Sequence, residues 1–204
     1  MKLMPLLFAC AILNGQTVLK YWPGEHPKAE YAQWAMEDWA RTSAGGFKVE
    51  KVSSIDDADI FFTWSTGEAS GLYGQAQRFQ RNGKPVNRVV INASSDQFAG
   101  EIAKTAALDP LFADVMLYLT CVHEAGHALG LEHTRDFSDI MYSFQYGGDF
   151  VEYFQRYRRR IHARGDMAKT SVMSANDVSQ LKKLWPAAQQ SQKRSGESAP
   201  NQKQ

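Results

Sequence analysis

The stretch "CVHEAGHALGLEH", from Cys121 to His133, limits the fold of this chain more tightly than any other part of the sequence. His123 and His127 are four residues apart, and Leu111, Val115, Leu119, Val122, Gly126 and Leu129 recur at spacings of three and four. This pattern predicts a helix from about 111 to 129 that carries both imidazoles on one face, on neighbouring turns. Gly130 follows at once, and a glycine there can take the left-handed conformation that ends a helix and redirects the chain. His133 can then swing back toward the other two rings. A fold for this chain must therefore hold a long apolar helix, a sharp stop and a returning loop around one point.

Three neutral imidazoles suit a tetrahedral zinc with one position left open for water, the catalytic rather than the structural arrangement. Glu124, next to the first imidazole, is placed to act as a base for that water and not as a fourth ligand. A lone histidine on an apolar helix is usually an ordinary core or boundary residue. The full string fixes five positions (His123, Glu124, His127, Gly130 and His133) in a helix-plus-turn context, which a structural accident rarely supplies.

The rest of the chain predicts a mixed domain. Ala32, Ala35, Met36, Trp39 and Ala40 follow helical spacing between Pro27 and Arg41, with Pro27 at a first helical position and Gly45-Gly46 ending the helix. "FKVEKV" (47–52) and "DIFFTW" (59–64) read as strands. "GQAQRFQ" and "PVNRVVI" flank Asn82-Gly83, a strong hairpin signal. "SANDVSQLKKLW" predicts a last helix with Ser174 as its N-cap and Pro186 as its stop. Residues 187–204 have almost nothing to bury and are expected to be disordered.

At 204 residues the chain suits one domain, read as residues 16–186. With 23 basic and 22 acidic residues its net charge is +1, so no overall field recruits nucleic acid or an anionic membrane. Neither is expected as a partner, and stable membrane insertion is not expected. A peptide or protein substrate and a monomer are. The basic run "RYRRRIHAR" (156–164) reads as a solvated helix face rather than an RNA site. Two cysteines, Cys10 and Cys121, are too few for a disulfide framework, and Cys121 is expected to be buried and apolar. Residues 1–15, with Lys2 ahead of an apolar stretch from Leu3 to Leu13, resemble a short secretory signal cleaved near Gly15 or Gln16. A secreted or periplasmic location is therefore expected, with "LFAC" offering lipid attachment at Cys10 as a minor variant.

The histidine string resembles the zinc-peptidase signature of the metzincins, and "DIMY" places Met141 as their Met-turn methionine beneath the metal. Among metzincins the chain most resembles the matrixins: Thr134 follows the third histidine, the interval to Met141 is short, and Tyr142 follows directly. The resemblance implies an α+β metzincin-like (zincin) domain, with a twisted mixed sheet, an antiparallel edge strand, an active-site helix and a C-terminal helix. It also implies a zinc endopeptidase with His123, His127 and His133 as ligands and Glu124 as general base. Residues 73–80 would form the edge strand, with Tyr73, Gly74 and Ala76 contacting an extended peptide. Phe144 and Tyr146 would wall a pocket for an apolar residue after the cut.

Four departures qualify the resemblance. Ser143 stands where matrixins usually have Pro. Only His26 and His162 remain for any second, three-histidine zinc, and no cysteine-switch context surrounds Cys10 or Cys121. Calcium, common in the family, has no readable loop pattern here. Two rival readings stay open: a zinc-binding module of the same fold without turnover, and a peptidase restricted to small peptides. Glu124 argues against the first, since a binding module needs no base.

Overall fold

Apolar residues alternate along two segments and build the centre of the sheet. The computed structural model describes residues 11–13, 16–65, 73–94 and 100–187. In β4 (Ile60–Ser65), Ile60 and Phe62 face the main core while Phe61 faces a small cluster on the opposite side with Ala58 and Val86. In β6 (Lys84–Asn92), Val89 and Ile91 point to the main core. β2 (Gln16–Trp22), β4 and β6 are parallel neighbours, and β3 (Phe47–Lys51) also pairs parallel with β2. β5 (Gly74–Arg81) pairs antiparallel with β6 and forms the far edge of the order β1-β2-β4-β6-β5. The hairpin forms at Asn82 and Gly83, both with positive φ (52° and 77°), as a tight primed turn requires.

Short β1 (Ala11–Leu13) pairs antiparallel with β2, within the segment read as a leader. The remainder of that segment, Cys10 and the expected cleavage point at Gly15 included, lies outside the described residues, as does the tail from 188 onward.

Two helices cover one face of the sheet. α1 (Ala29–Thr42) and α3 (Pro110–Ala128) pack against each other, and the Trp39 indole N–H donates to the Val122 carbonyl at 2.8 Å inside the core. α1 starts two residues later than Pro27 suggests. Pro27 lies in the preceding turn, where the Lys28 N–H donates to His26 Nδ1 and the Ala29 N–H to the His26 carbonyl. α3 is buried on most sides, with Phe112, Met116, Tyr118, Cys121 and Ala125 hidden along with the expected stripe except Leu111, which is half-buried. Burial pushes the Cys121 thiol pKa well up, so it is an inert core residue.

One helix has no counterpart in the sequence reading, and a second overlaps only the start of the basic run read as a helix face. α2 (Gly100–Leu108) buries no residue and rests against α3. α4 (Phe150–Arg158) is capped by Asp149, whose carboxylate accepts the Glu152 N–H at 2.9 Å, and it buries Tyr153, Phe154 and Tyr157. The basic run on and after α4 is not simply a solvated face. The Arg156 guanidinium lies 4.3 to 5.1 Å from the ring centres of Tyr153, Tyr157 and Phe137 and donates to the Phe137 carbonyl. Arg158 pairs with Asp109, Arg159 with Glu152, and Arg164 with Glu30. α5 (Ala175–Leu184) closes the fold, with Ser174 and Asp177 capping each other reciprocally. Among the described residues, no single helix is long and apolar enough to cross a membrane.

Candidate metal centre

The end of α3 is built as the sequence requires. Gly130 has φ 96°, its N–H donates to the His127 carbonyl at 3.0 Å, and the Leu131 N–H reaches the Gly126 carbonyl at 3.0 Å. These two bonds form a Schellman cap, which stops the helix and sends the chain back over its own last turn. The Trp185 indole N–H donates to the Leu129 carbonyl at 3.0 Å, so the final residues of the domain brace the same corner. The returning strand is stitched to the Met-turn, where the Thr134 N–H donates to the Met141 carbonyl and the Ser143 N–H to the Thr134 carbonyl.

This arrangement brings the three histidines together, with one ring nitrogen from each lying within 4.8 Å of the others. His133 Nε2 lies 3.2 Å from His123 Nε2 and 3.0 Å from His127 Nε2. Backbone carbonyls fix two of the tautomers. His123 Nδ1 lies 2.7 Å from the Ile140 carbonyl oxygen and His127 Nδ1 lies 2.9 Å from that of Leu131. A carbonyl only accepts, so both Nδ1 atoms carry hydrogen and both Nε2 lone pairs point inward. Converging lone pairs cannot bond to one another, but they can share a cation. Ligands about 2.0–2.1 Å from a tetrahedral zinc would stand roughly 3.3 Å apart, close to the spacing found here. Burial also holds all three imidazoles below their usual pKa, His123 down to about 3, which keeps them in the neutral, ligating form.

Beneath them the Met-turn is held from two sides. The Asp177 carboxylate accepts the N–H groups of Ile140 (2.9 Å) and Met141 (3.3 Å), and the Tyr153 hydroxyl donates to the Asp139 and Ile140 carbonyls at 2.9 and 3.2 Å. The Ile140 carbonyl therefore receives both Tyr153 and His123, and α4 and α5 fix the first imidazole through one peptide group. Met141 is fully buried under Gly126, where an added Cβ would stand 2.4 Å from the Met141 sulfur.

Glu124 points into a cavity of about 510 Å³ that also contains the three histidines. Burial pushes its carboxyl pKa up to about 7, against the lowering effect of the one backbone N–H that reaches it, from Ala76 of β5. Tyr73, Gly74, Ala76 and Phe144 line the same cavity. Tyr146 does not. It ends the short 3-10 turn from Phe144, lies 45% exposed, and its ring faces the Arg135 guanidinium at 4.9 Å. Phe150 and Phe154 of α4 take the place expected of Tyr146. Their spacing of four, with Tyr153 and Tyr157 between and beyond them, was the periodic signal that could have revealed both the helix and its apolar face.

The sequence pattern of the matrixin family matches residues 17–149, well over half of the chain, with the three histidines, Glu124 and Met141 inside the match. The chain belongs to the matrixin family. Its membership makes it a zinc metallopeptidase, consistent with three histidines that can hold the metal. Among solved structures, this matrixin is similar to an archaemetzincin from Methanopyrus kandleri. Identity is 16% over 84% of this chain and 96% of that one, with a TM-score of 0.44. No curated protein matches the chain.

Proposed function

We propose that this matrixin is a secreted zinc endopeptidase in which His123, His127 and His133 hold the metal and Glu124 is the general base. The observation that carries the reading is the convergence of three imidazoles, two of them with their Nε2 lone pairs fixed inward, beside one buried carboxylate in a single cavity. Zinc bound there supplies a Lewis acid for the scissile carbonyl and lowers the pKa of water toward about 7. Glu124 takes a proton from the attacking water and delivers it to the nitrogen of the leaving amine. A carboxyl pKa near neutrality suits both transfers.

β5 supports binding of an extended peptide, because it is the edge of the sheet and borders the cavity. Main-chain pairing of that kind makes the enzyme broad in sequence preference. Leu119, Tyr73, Phe144, Phe150 and Phe154 give the cavity an apolar wall, which favours a large apolar residue after the cut. Export follows from the apolar stretch Leu3 to Leu13. N-terminal sequencing of protein from its native host should find a start near Gln16. A start at Met1 would contradict export.

The deciding experiment is digestion of a peptide library by purified protein, with and without chelator, beside elemental analysis. Expected are one zinc per chain, chelator-sensitive cleavage and an apolar residue after the cut. Folded protein without zinc, or a charged residue preferred at that position, would defeat the reading.

A further inference from the structure

β5 has a second relation to the site. The Asn92 N–H donates to the Tyr73 carbonyl at 2.9 Å, so residue 73 turns its backbone groups toward β6. Backbone direction alternates along an antiparallel pair, and the register opposes Gly74 to Ile91 and Ala76 to Val89. Gly74, Ala76 and Arg78 therefore turn their N–H and C=O groups outward, to the side where a peptide would pair. Ala76's outward N–H is directed at the Glu124 carboxylate and favours its charged form. At Gly74 a Cβ would stand 2.7 Å from Glu124 Cγ, 2.9 Å from Thr120 Cγ2 and 3.1 Å from Glu124 Oε1. Real Cβ atoms do not approach so closely, and here the backbone of β5 lies directly against the base.

We propose that Gly74 and Ala76 are positioning residues for Glu124: Ala76 holds the carboxylate by its N–H, and Gly74 leaves the space in which it sits. The edge that takes the substrate thus also aims the base. A bound peptide would find the Ala76 N–H committed, and would pair with the Ala76 carbonyl and the outward groups of Gly74 and Arg78. The inference rests on Glu124 being the base, and its test separates the two ideas.

Gly74→Ala should lower kcat at least tenfold while KM stays within twofold, one zinc per chain is retained and the unfolding midpoint holds. Ala76→Pro should act alike: it removes the outward N–H and puts the ring Cδ in its place, at a position where an edge strand tolerates proline. This second variant serves if the first does not fold. Adding Gly74→Ala to Glu124→Ala, where no carboxylate remains to displace, should leave the affinity for an uncleaved fluorescent peptide within twofold. Full kcat in either single variant would overturn the proposal. So would a loss confined to KM, or weakened peptide binding in the double variant, since each means that the added atoms obstruct the peptide and not the base. Full turnover in Glu124→Ala alone would instead remove the base assignment.

Discussion

Glu124 and Asp177 are both buried carboxylates at one metal centre, and their surroundings differ in donor count. Asp177 is completely buried and accepts three backbone N–H groups, from Ile140, Met141 and Ser174. Glu124 faces the cavity with one, from Ala76. Burial pushes both carboxyls above the ordinary carboxylate range, but three donors fix Asp177 in place as an anchor, whereas Glu124, short of donors and facing the cavity, is free to exchange a proton. Burial alone does not separate the two roles. The number of donors does.

The largest expected effect tests the sparsely bonded member. Glu124→Ala should lower turnover by roughly a hundred- to ten-thousandfold with zinc content and unfolding midpoint nearly unchanged. Turnover at the parent rate would erase the distinction. Asp177→Ala should show the opposite pattern. It strands buried N–H groups of the Met-turn and should cost about 3 kcal/mol in denaturant unfolding. Because those groups orient His123, zinc affinity by competition with a chromogenic chelator should also fall about ten- to a hundredfold. A variant with normal zinc affinity would show that the turn holds its shape without Asp177.

Two smaller effects sharpen the contrast. Gly126→Ala forces a Cβ against the Met141 sulfur and Trp39, and overpacking of that kind should cost about 1–3 kcal/mol in chemical unfolding. An unchanged midpoint would mean that Met141 has room to move. Ser174→Ala removes the α5 cap and should cost about 1 kcal/mol with zinc affinity intact, since Asp177 remains. A matching loss of zinc would make the cap part of the clamp.

What could be read from the sequence was what local rules decide. Asn82-Gly83 specify a turn, Gly130 a helix stop and Ser174 a cap within a few residues of themselves, and each forms where expected. The histidine string worked for the same reason, because the helix repeat and one cap bring all three rings together. β2 has no counterpart in the sequence reading: it begins at Gln16, beside the expected cleavage point, and its parallel partners β3 and β4 lie far along the chain. α2 sets only Ile102 and Ala106 against the core, both half-buried, so its apolar stripe is a single pair four residues apart. α4 had such a stripe, but its arginines drew attention to charge, although Arg156 lies against aromatic rings. Tyr146 is close to Met141 in sequence, yet a single 3-10 turn directs it to Arg135 and away from the cavity. The hold of Asp177 on the Met-turn spans 37 residues of sequence, which no local pattern encodes.

That separation also sets an order in time. The ribosome releases His123, His127 and His133 well before α5, so a growing chain has every ligand while the peptide group that orients the first of them is still unanchored. Competence to cleave should therefore arrive last, after the closing helix has emerged and docked. Zinc titration of ribosome-stalled chains ending before and after α5 would reveal the delay as a step in affinity, and equal affinities would refute it.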